Sequence, residues 1–310
     1  MKLSTAFAAA CLLICSLGIM PLHSSAGDSV KQPEIALEQP AASDNPSERT
    51  SAAPLSDTIR QWQSTIAEEL DNASWKTATW QSYPLGPGTH GWVVILTDQG
   101  AEVGYMIVHA AEDGGYRLTE YGTGDHPLFS LSTLYQSLIQ QELISSSITF
   151  EAFVQDPAVI QDRLYAGTLT SVWKLSLPEQ TVYADAKSGE ILPLTKDPVP
   201  AADESPKPSS LTHIAHQVVL PAFDPYDRLP WIQGTPMAVA SLGELQQELQ
   251  EDEEAQLTYV TKLYGGQVTM PLAVMGYTEW DAGPTYLVLD HNGPRYIPLP
   301  SALAQGSLYN

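Results

Sequence analysis

Three apolar segments joined by short polar turns constrain the fold of this protein more than any other feature. GWVVILT (91–97) and EVGYMIVHA (102–110) are separated by DQGA, and GYRLTEYG (115–122) follows EDGG. Connections this short join antiparallel strands, because a parallel crossover needs about a dozen residues or more. The stretch therefore predicts an antiparallel sheet.

Amphipathic helices are expected on either side of this sheet in sequence. The first repeats apolar residues at helical spacing: Leu55, Ile59, Trp62, Ile66 and Leu70. Ser56 or Asp57 is expected to cap it, and Ser130 is expected to introduce the second helix, LSTLYQSLIQQEL. ITFEAFV, LTSVWKLSL and the hairpin TVYADAKSGEILPL (181–194) are then expected to form strands. This order predicts an α+β domain at 55–194, with helices packed on one face of an antiparallel sheet.

A second α+β domain is predicted at 211–310, after a Pro-rich linker at 195–210, TKDPVPAADESPKPSS. Its main helix is expected to begin with a capping box formed by Ser241 and Glu244. The acidic run EDEE (251–254) is expected to fray that helix, because the helix dipole disfavours negative charge at its end. Two small domains with antiparallel sheets are therefore expected.

The first 26 residues have the layout of a secretory signal peptide: Lys2, an apolar run from Ala6 to Met20, then small residues. The alternative is an uncleaved anchor, but the run falls short of the ~20 residues that span a bilayer. Residues 27–54 are expected to be a disordered acidic, Pro-rich tether. A secreted protein, extracellular or in the cell envelope, with no membrane span after signal cleavage is the expectation.

Both cysteines of the protein, Cys11 and Cys15, lie inside the predicted signal peptide. The mature protein would therefore have no disulfide, no thiolate nucleophile and no Cys-ligated zinc. Removing Lys2 leaves 13 basic against 36 acidic residues, a formal charge of −23. Such a surface repels nucleic acid, whose binding needs clustered cations. A soluble extracellular protein is indicated, or one with a basic partner or loosely bound divalent cations.

No motif in the sequence marks an active site. The G-x-S-x-G elbow of many Ser hydrolases is absent. HIAH places His213 and His216 three residues apart, but metal-binding H-E-x-x-H needs a spacing of four and a Glu. DHNG (290–293) lacks the further acids of a calcium loop and predicts a β-turn carried by Asn292 and Gly293. No catalytic, cofactor-binding or metal-ligating residue is assigned, and no cofactor is expected.

The tryptophans could form a carbohydrate-stacking platform, but large rings in strand-like segments are more commonly buried. Trp231 and Trp280 are the two expected to be exposed, because they are flanked by Pro and by Asp-Ala-Gly. The set is Trp75, Trp80, Trp92, Trp173, Trp231 and Trp280.

The segment VWKLSLPEQTVYADAKSGEILPL (172–194) resembles the end of PepSY domains, which close with a strand, a short turn and a second strand of the form YVDAKTGEIL. Val172, Trp173 and Leu175 match the first strand; the second strand and its turn are matched by Tyr183, Asp185, Ala186, Lys187, Gly189, Glu190 and Ile191. Gly189 is expected to supply the positive φ of the turn, and Asp185 to accept hydrogen bonds from backbone amides across it. The resemblance implies a propeptide-type module that binds or regulates an extracellular peptidase or another envelope protein. It brings no catalytic residues.

A weaker likeness concerns LAVMGYTEWDAGPTYLVLDHNGPRYIPLPSAL, which resembles the C-terminal half of papain-like peptidases. Leu272 stands where that family has a His, so the likeness would describe an inactive relative. The sequence thus favours a secreted, non-catalytic binding or regulatory protein. The alternatives are a secreted hydrolase with an unmarked active site in the C-terminal domain and a structural envelope protein.

Overall fold

The computed structural model has the predicted α+β fold, with two antiparallel sheets of ten and four strands. It describes residues 54–86, 89–112, 114–177, 180–200, 210–251, 256–281 and 283–310, all within one compact unit. The predicted signal peptide (1–26), the predicted tether up to residue 53 and positions 201–209 of the predicted linker lie outside the described residues.

The helices of the described residues are α1 Leu55–Glu69, α2 Ala73–Thr77, α3 Leu131–Gln140, α4 Phe150–Gln155, α5 Pro230–Gln233, α6 Leu242–Glu251 and α7 Leu299–Gln305. The strands of the large sheet are β1 Thr79–Pro84, β2 Gly91–Asp98, β3 Ala101–Ala110, β4 Tyr116–Thr123, β9 Ile214–Val219, β10 Thr258–Leu263, β11 Val268–Trp280, β12 Thr285–Asp290, β13 Pro294–Pro298 and β14 Gly306–Tyr309. The small sheet contains β5 Ile160–Tyr165, β6 Ser171–Ser176, β7 Thr181–Asp185 and β8 Ile191–Leu192. Among the described residues, no helix has both the length and the apolar character needed to cross a membrane.

The large sheet crosses the boundary between the two predicted domains. Its strand order is β1-β2-β3-β4-β13-β12-β11-β10-β14, with β9 paired to β11. The junction is the antiparallel pair β4–β13, in which Arg295 lies opposite Gly122 and Tyr296 opposite Tyr121. Strands from both sides of residues 195–210 therefore share one set of backbone hydrogen bonds.

Apolar side chains pack against both faces of the large sheet. On one face, Ile59 and Trp62 of α1 and Trp75 of α2 pack with Val94 and Met106 of the sheet. The opposite face of β2 and β3 packs with α3, α4 and the small sheet; the buried residues there include Val93, Ile95, Tyr105, Leu134, Leu138, Phe153 and Trp173. Alternate residues of one strand thus feed two cores, which is the period-2 pattern of a sheet covered on both faces. The predicted packing of the helices on one face is therefore wrong, since α1 and α2 lie on one face and α3 and α4 on the other.

Several local predictions are confirmed. The helix at Leu55–Glu69 and the three strands at 91–122 form as expected. Ser130 caps α3, since its Oγ accepts a hydrogen bond from the Thr133 amide at 3.1 Å. At α6 the Ser241 half of the predicted capping box forms, since Ser241 Oγ accepts from the Glu244 amide at 3.4 Å. The Glu244 carboxylate accepts from the Ala240 amide at 2.7 Å, one residue before the predicted position. The fraying expected at 251–254 falls on residues that, from 252 onward, lie outside the described ranges.

Other local predictions are wrong. The α1 N-cap is Pro54, with no capping side chain, and Asp57 lies in the first turn instead. ITFEAFV forms the short helix α4 rather than a strand, because Thr149 Oγ1 caps the Ala152 amide at 3.2 Å. Burial of Phe153 on one helix face then holds α4 against the core.

Candidate functional site

A buried polar centre lies where β4 meets β13, and it consists of Tyr105, Glu120, Tyr165, His291 and Arg295. Each side chain is at least nine-tenths buried. Arg295 Nη2 donates to both Glu120 oxygens, at 3.0 Å to Oε1 and 3.2 Å to Oε2. The hydroxyls of Tyr105 and Tyr165 donate to the same carboxylate at 3.1 and 3.3 Å. Three side chains therefore replace the water that a buried carboxylate would otherwise need.

Strand register places these groups together. Gly122 lies opposite Tyr105 on one side and opposite Arg295 on the other. Glu120, two residues earlier on the same strand, is the diagonal neighbour of both. A Cβ at Gly122 would lie 2.4 Å from the Tyr105 ring, so the absence of a side chain there makes room for the ring.

A β-bulge aims Glu120 into this centre. Ile107 pairs with Glu120 and Val108 with Leu118, which leaves Thr119 as an extra residue on β4. The extra residue breaks strict alternation, so Leu118 faces the α1 core while Glu120 faces the opposite side. Thr119 is held by a 2.6 Å hydrogen bond with the His109 imidazole.

Burial and charge shift the pKa values of four groups of the centre: Tyr105, Tyr165, His291 and Arg295. Burial, with Glu120 nearby, raises the pKa of Tyr105 and of Tyr165 well above the usual value, so both hydroxyls remain donors. Burial alone would lower the pKa of Arg295, but Glu120 outweighs it and raises that pKa. Burial lowers the pKa of His291 to about 3, and the ring is therefore neutral at pH 7.

His291 links the centre to the hairpin whose sequence resembles PepSY domains. Its Nδ1 lies 3.2 Å from Arg295 Nη1, which can only donate, so the neutral ring carries its proton on Nε2. That Nε2 lies 3.9 Å from Asp185 Oδ1 at the end of β7. Two loops that are more than 100 residues apart in sequence thus meet at this point.

The hairpin turn has the predicted structure. Asp185 Oδ1 accepts hydrogen bonds from the amides of Lys187 at 2.9 Å and Ser188 at 2.8 Å. Gly189 has a φ of 75°, and its carbonyl accepts from Ser137 Oγ of α3 at 2.7 Å. The positive φ and the capping carboxylate are therefore both confirmed.

Lys187, in the same turn, is completely buried. Its Nζ donates to the His126 carbonyl and lies 5.7 Å from the centre of the Tyr105 ring. Burial, and to a smaller extent the positive charge of the nearby Arg295, lowers the pKa of Lys187 to about 7. The PepSY-like hairpin therefore contributes buried charges rather than a free surface loop.

Two of the clefts formed by the described residues each have a volume of about 440 Å³. One is bordered by Phe223, Asp224, Leu272, Asp290 and His291, and we call it the His291 cleft. Its wall includes the turn predicted at 290–293: Asn292 and Gly293 have φ values of 51° and 103°, and the Gly293 amide donates to Asp290 Oδ1 at 3.0 Å. The predicted β-turn is confirmed.

The second cleft, which we call the Arg163 cleft, lies between the end of β1, the start of β2 and β5. Leu85, His90, Trp92 and Arg163 are among its lining residues. Leu85 and Arg163 come from different sheets, and the amide of Gly86 donates to the Arg163 carbonyl at this junction. No sequence motif indicated this cleft, because its walls are 70 residues apart in the sequence.

The histidines of HIAH do not converge. Both are exposed, His213 just before β9 and His216 within it. His213 Nδ1 lies 3.7 Å from Asp281, and His216 Nδ1 lies 3.2 Å from the Tyr277 hydroxyl. Within the part of the protein that the structure describes, no three His, Cys, Asp or Glu side chains are grouped so that they could hold a metal ion.

The six tryptophans of the predicted set divide into two classes. Trp75, Trp173 and Trp280 are buried, so the expected exposure of Trp280 is wrong. It packs beside Tyr286 and Leu211 in the core shared with α1. Trp80, Trp92 and Trp231 are partly exposed on different elements and do not form a platform in the described contacts.

The fold and the polar centre thus define an antiparallel α+β protein with a charged interior. No family model, curated protein or solved structure that we compared with the sequence and the fold matches them.

Proposed function

We propose that this is an exported protein that acts by binding a protein partner, with a PepSY-like module in its first half. The partner class is an extracellular peptidase or another envelope protein, whose activity the bound protein would modulate. The observation that carries this proposal is an apolar surface segment formed by Val219, Tyr226, Leu229 and Ile232. These side chains are 72%, 60%, 39% and 62% exposed.

Single exposed apolar residues are normal, but Tyr226, Leu229 and Ile232 lie within seven residues of one another, in a segment joined by the backbone hydrogen bonds Leu229 to Pro225 and Ile232 to Leu229. Exposed apolar residues grouped in this way mark interaction sites. The Tyr226 ring packs edge-on against Trp231 at 5.6 Å, which fixes two aromatic rings at the surface. Aromatic residues of this kind are enriched at the energetic centre of protein interfaces.

Charge indicates which partner surface would fit. The protein has a formal charge of −22, and Asp224 and Asp227 are exposed beside the apolar surface segment. A partner with an apolar patch bordered by basic side chains would be attracted and oriented, and one with an acidic border would be repelled.

The polar centre supports binding over catalysis because its groups are used within the fold. Glu120 is paired with Arg295 and two tyrosines, and Asp185 accepts backbone amides of its own turn. A catalytic acid or base must instead reach a substrate proton.

The test is capture from culture supernatant by the immobilised mature protein, followed by mass spectrometry and a peptidase assay of the captured protein. Tyr226→Ser combined with Ile232→Ser should reduce capture at least tenfold. Phe150→Ser combined with Val154→Ser on α4 is the matched control, since it removes two other exposed apolar side chains. Equal capture by the parent protein and both double variants would refute the assignment of this surface.

A hydrolase is the second candidate, favoured by the presence of Asp290 and His291 in the wall of the His291 cleft. The purified protein would then hydrolyse a peptide, ester or glycoside, and His291→Gln would abolish turnover. Asp224→Asn, which changes another residue of the same cleft, would leave the protein folded. The binding proposal expects no turnover from any of these proteins.

A further inference from the structure

Arg163 has a guanidinium group that aromatic rings hold in place and to which the described residues give no acceptor. Its central carbon lies 4.4 Å from the centre of the Tyr83 ring and 4.8 Å from that of Trp173. Rings from the two sheets therefore fix the orientation of the guanidinium plane through cation–π contacts. Its Nε is buried without a hydrogen-bond partner, and no described residue forms an ion pair with it.

Arg163 differs in this respect from four other cations of the described residues. Arg60, Lys76, Lys174 and Arg295 each lie within 3.0 Å of a carboxylate oxygen, in a protein with 36 acidic and 14 basic side chains. Asp162, the neighbour of Arg163 on β5, also borders the cleft but forms no ion pair with it among the described contacts. Burial lowers the pKa of Arg163 from its usual value, which is the direction expected for a cation whose water has been removed without replacement by an anion.

The cleft in front of this group has the size and lining of a ligand site. Its volume is about 440 Å³, within the range of about 300–1,000 Å³ that is usual for small-molecule sites. Leu85 and the partly exposed ring of Trp92 supply apolar walls, and Arg163 is the lysine or arginine among the lining residues. Most binding sites combine an apolar lining with a few placed polar groups in this way.

We propose that the Arg163 cleft binds a peptide carboxylate, with the guanidinium donating to its oxygens and Leu85 and Trp92 contacting the adjoining apolar side chain. A planar carboxylate matches the planar fork of arginine, and such charge-assisted pairs are the strong ones. A doubly charged phosphate fits less well, because Asp162 lies at the same cleft in a protein of strong negative charge. The site is separate from the apolar surface segment, so it does not depend on the partner proposed above.

The carboxylate could be the C-terminus of a peptide or an acidic side chain, and the test separates these sources. The probes are acetyl-Ala-Phe with a free carboxylate, its C-terminal amide, acetyl-Glu-amide and inorganic phosphate, each titrated into the mature protein. Binding is measured by calorimetry and by the Nε–Hε NMR signals, which are few because the protein has only six arginines. The Arg163 signal is assigned by its loss in Arg163→Lys.

We expect a free-carboxylate probe to bind saturably and to move the Arg163 signal, with the amide at least tenfold weaker. Stronger binding of acetyl-Ala-Phe identifies a C-terminus as the source, and stronger binding of acetyl-Glu-amide identifies an acidic side chain. Arg163→Met should abolish binding, Arg163→Lys should weaken it, and Arg228→Met, which removes an exposed cation elsewhere, should leave it unchanged. Thermal melting of each variant verifies the fold.

Equal binding of acid and amide, binding of phosphate alone, or full binding by a folded Arg163→Met variant would overturn the proposal. Failure of all four probes would do the same, whatever the capture experiment with the apolar surface segment shows.

Discussion

Arg295 and Arg163 are both largely withdrawn from water, yet the fold uses their guanidinium groups in different ways. Arg295 donates to Glu120 and approaches His291 in a buried centre. Arg163 is held between Tyr83 and Trp173, lines a cleft and forms no ion pair with a described residue. A guanidinium group that is paired inside the protein indicates a structural role. A guanidinium group that is oriented beside a cleft without an ion pair indicates a ligand site. Residue type and burial alone do not distinguish these roles.

The largest effect is expected from separating the two halves that the polar centre joins. A protein truncated after residue 210 would lose β13 as the partner of β4 and would leave Glu120 without Arg295. We expect this truncated protein to lack a cooperative unfolding transition in urea, followed by near-UV circular dichroism. The full mature protein is the control. A cooperative transition in the truncated protein would instead support two independent domains, as the sequence predicts.

Removing Arg295 from the intact protein should have the next largest effect. Arg295→Met leaves a buried carboxylate with only two tyrosine donors, and loss of one partner from a buried pair costs about 3–5 kcal/mol. Arg60→Met is the matched control, because the Arg60–Asp57 pair is exposed and such pairs contribute about 0–1 kcal/mol. The free energy of unfolding in urea measures both. A similar loss in the two variants would mean that the centre is not the structural element described here.

These two predictions concern a centre that the local sequence pattern could not show. Asn292 and Gly293 encode their turn locally, and so does the Asp185–Gly189 segment, because turn chemistry depends on neighbouring residues. The contact of Glu120 with Arg295 spans 175 positions and has no local signal. A lone Glu in the apolar strand GYRLTEYG was the available hint.

Strict alternation along β4 would also place Glu120 on the wrong face relative to Leu118. Period 2 puts Leu118 and Glu120 on one face, but the bulge at Thr119 puts them on opposite faces. ITFEAFV has apolar residues that suit a strand, yet the Thr149 cap decides for a helix. No pattern in the sequence indicated a role for Arg163, because that role depends on aromatic rings contributed by β1 and β6.

Lys187 is a third buried cation, and it predicts how the stability of the protein depends on pH. Its pKa falls from 10.5 in the unfolded protein to about 7 in the fold, so the unfolded protein binds the extra proton between these values. Stability from this group therefore rises with pH between about 7 and 10.5, by on the order of a few kcal/mol, and is constant below that window. Lys187→Met should flatten the rise when urea unfolding is measured from pH 6 to 9.5. Identical slopes in both proteins would show that the buried amine has an ordinary pKa.

The smallest effect on stability is expected at Arg163, and this is what separates it from Arg295. Arg163→Met keeps an apolar stem between Tyr83 and Trp173 but removes the cation, whose contacts with aromatic rings contribute about 0.5–2 kcal/mol. It also removes a buried donor that has no acceptor, which offsets part of that loss. A net loss of about 1 kcal/mol or less is expected in urea unfolding. A loss as large as that of Arg295→Met would mean that Arg163 supports the junction of the two sheets, and the contrast between the two arginines would disappear.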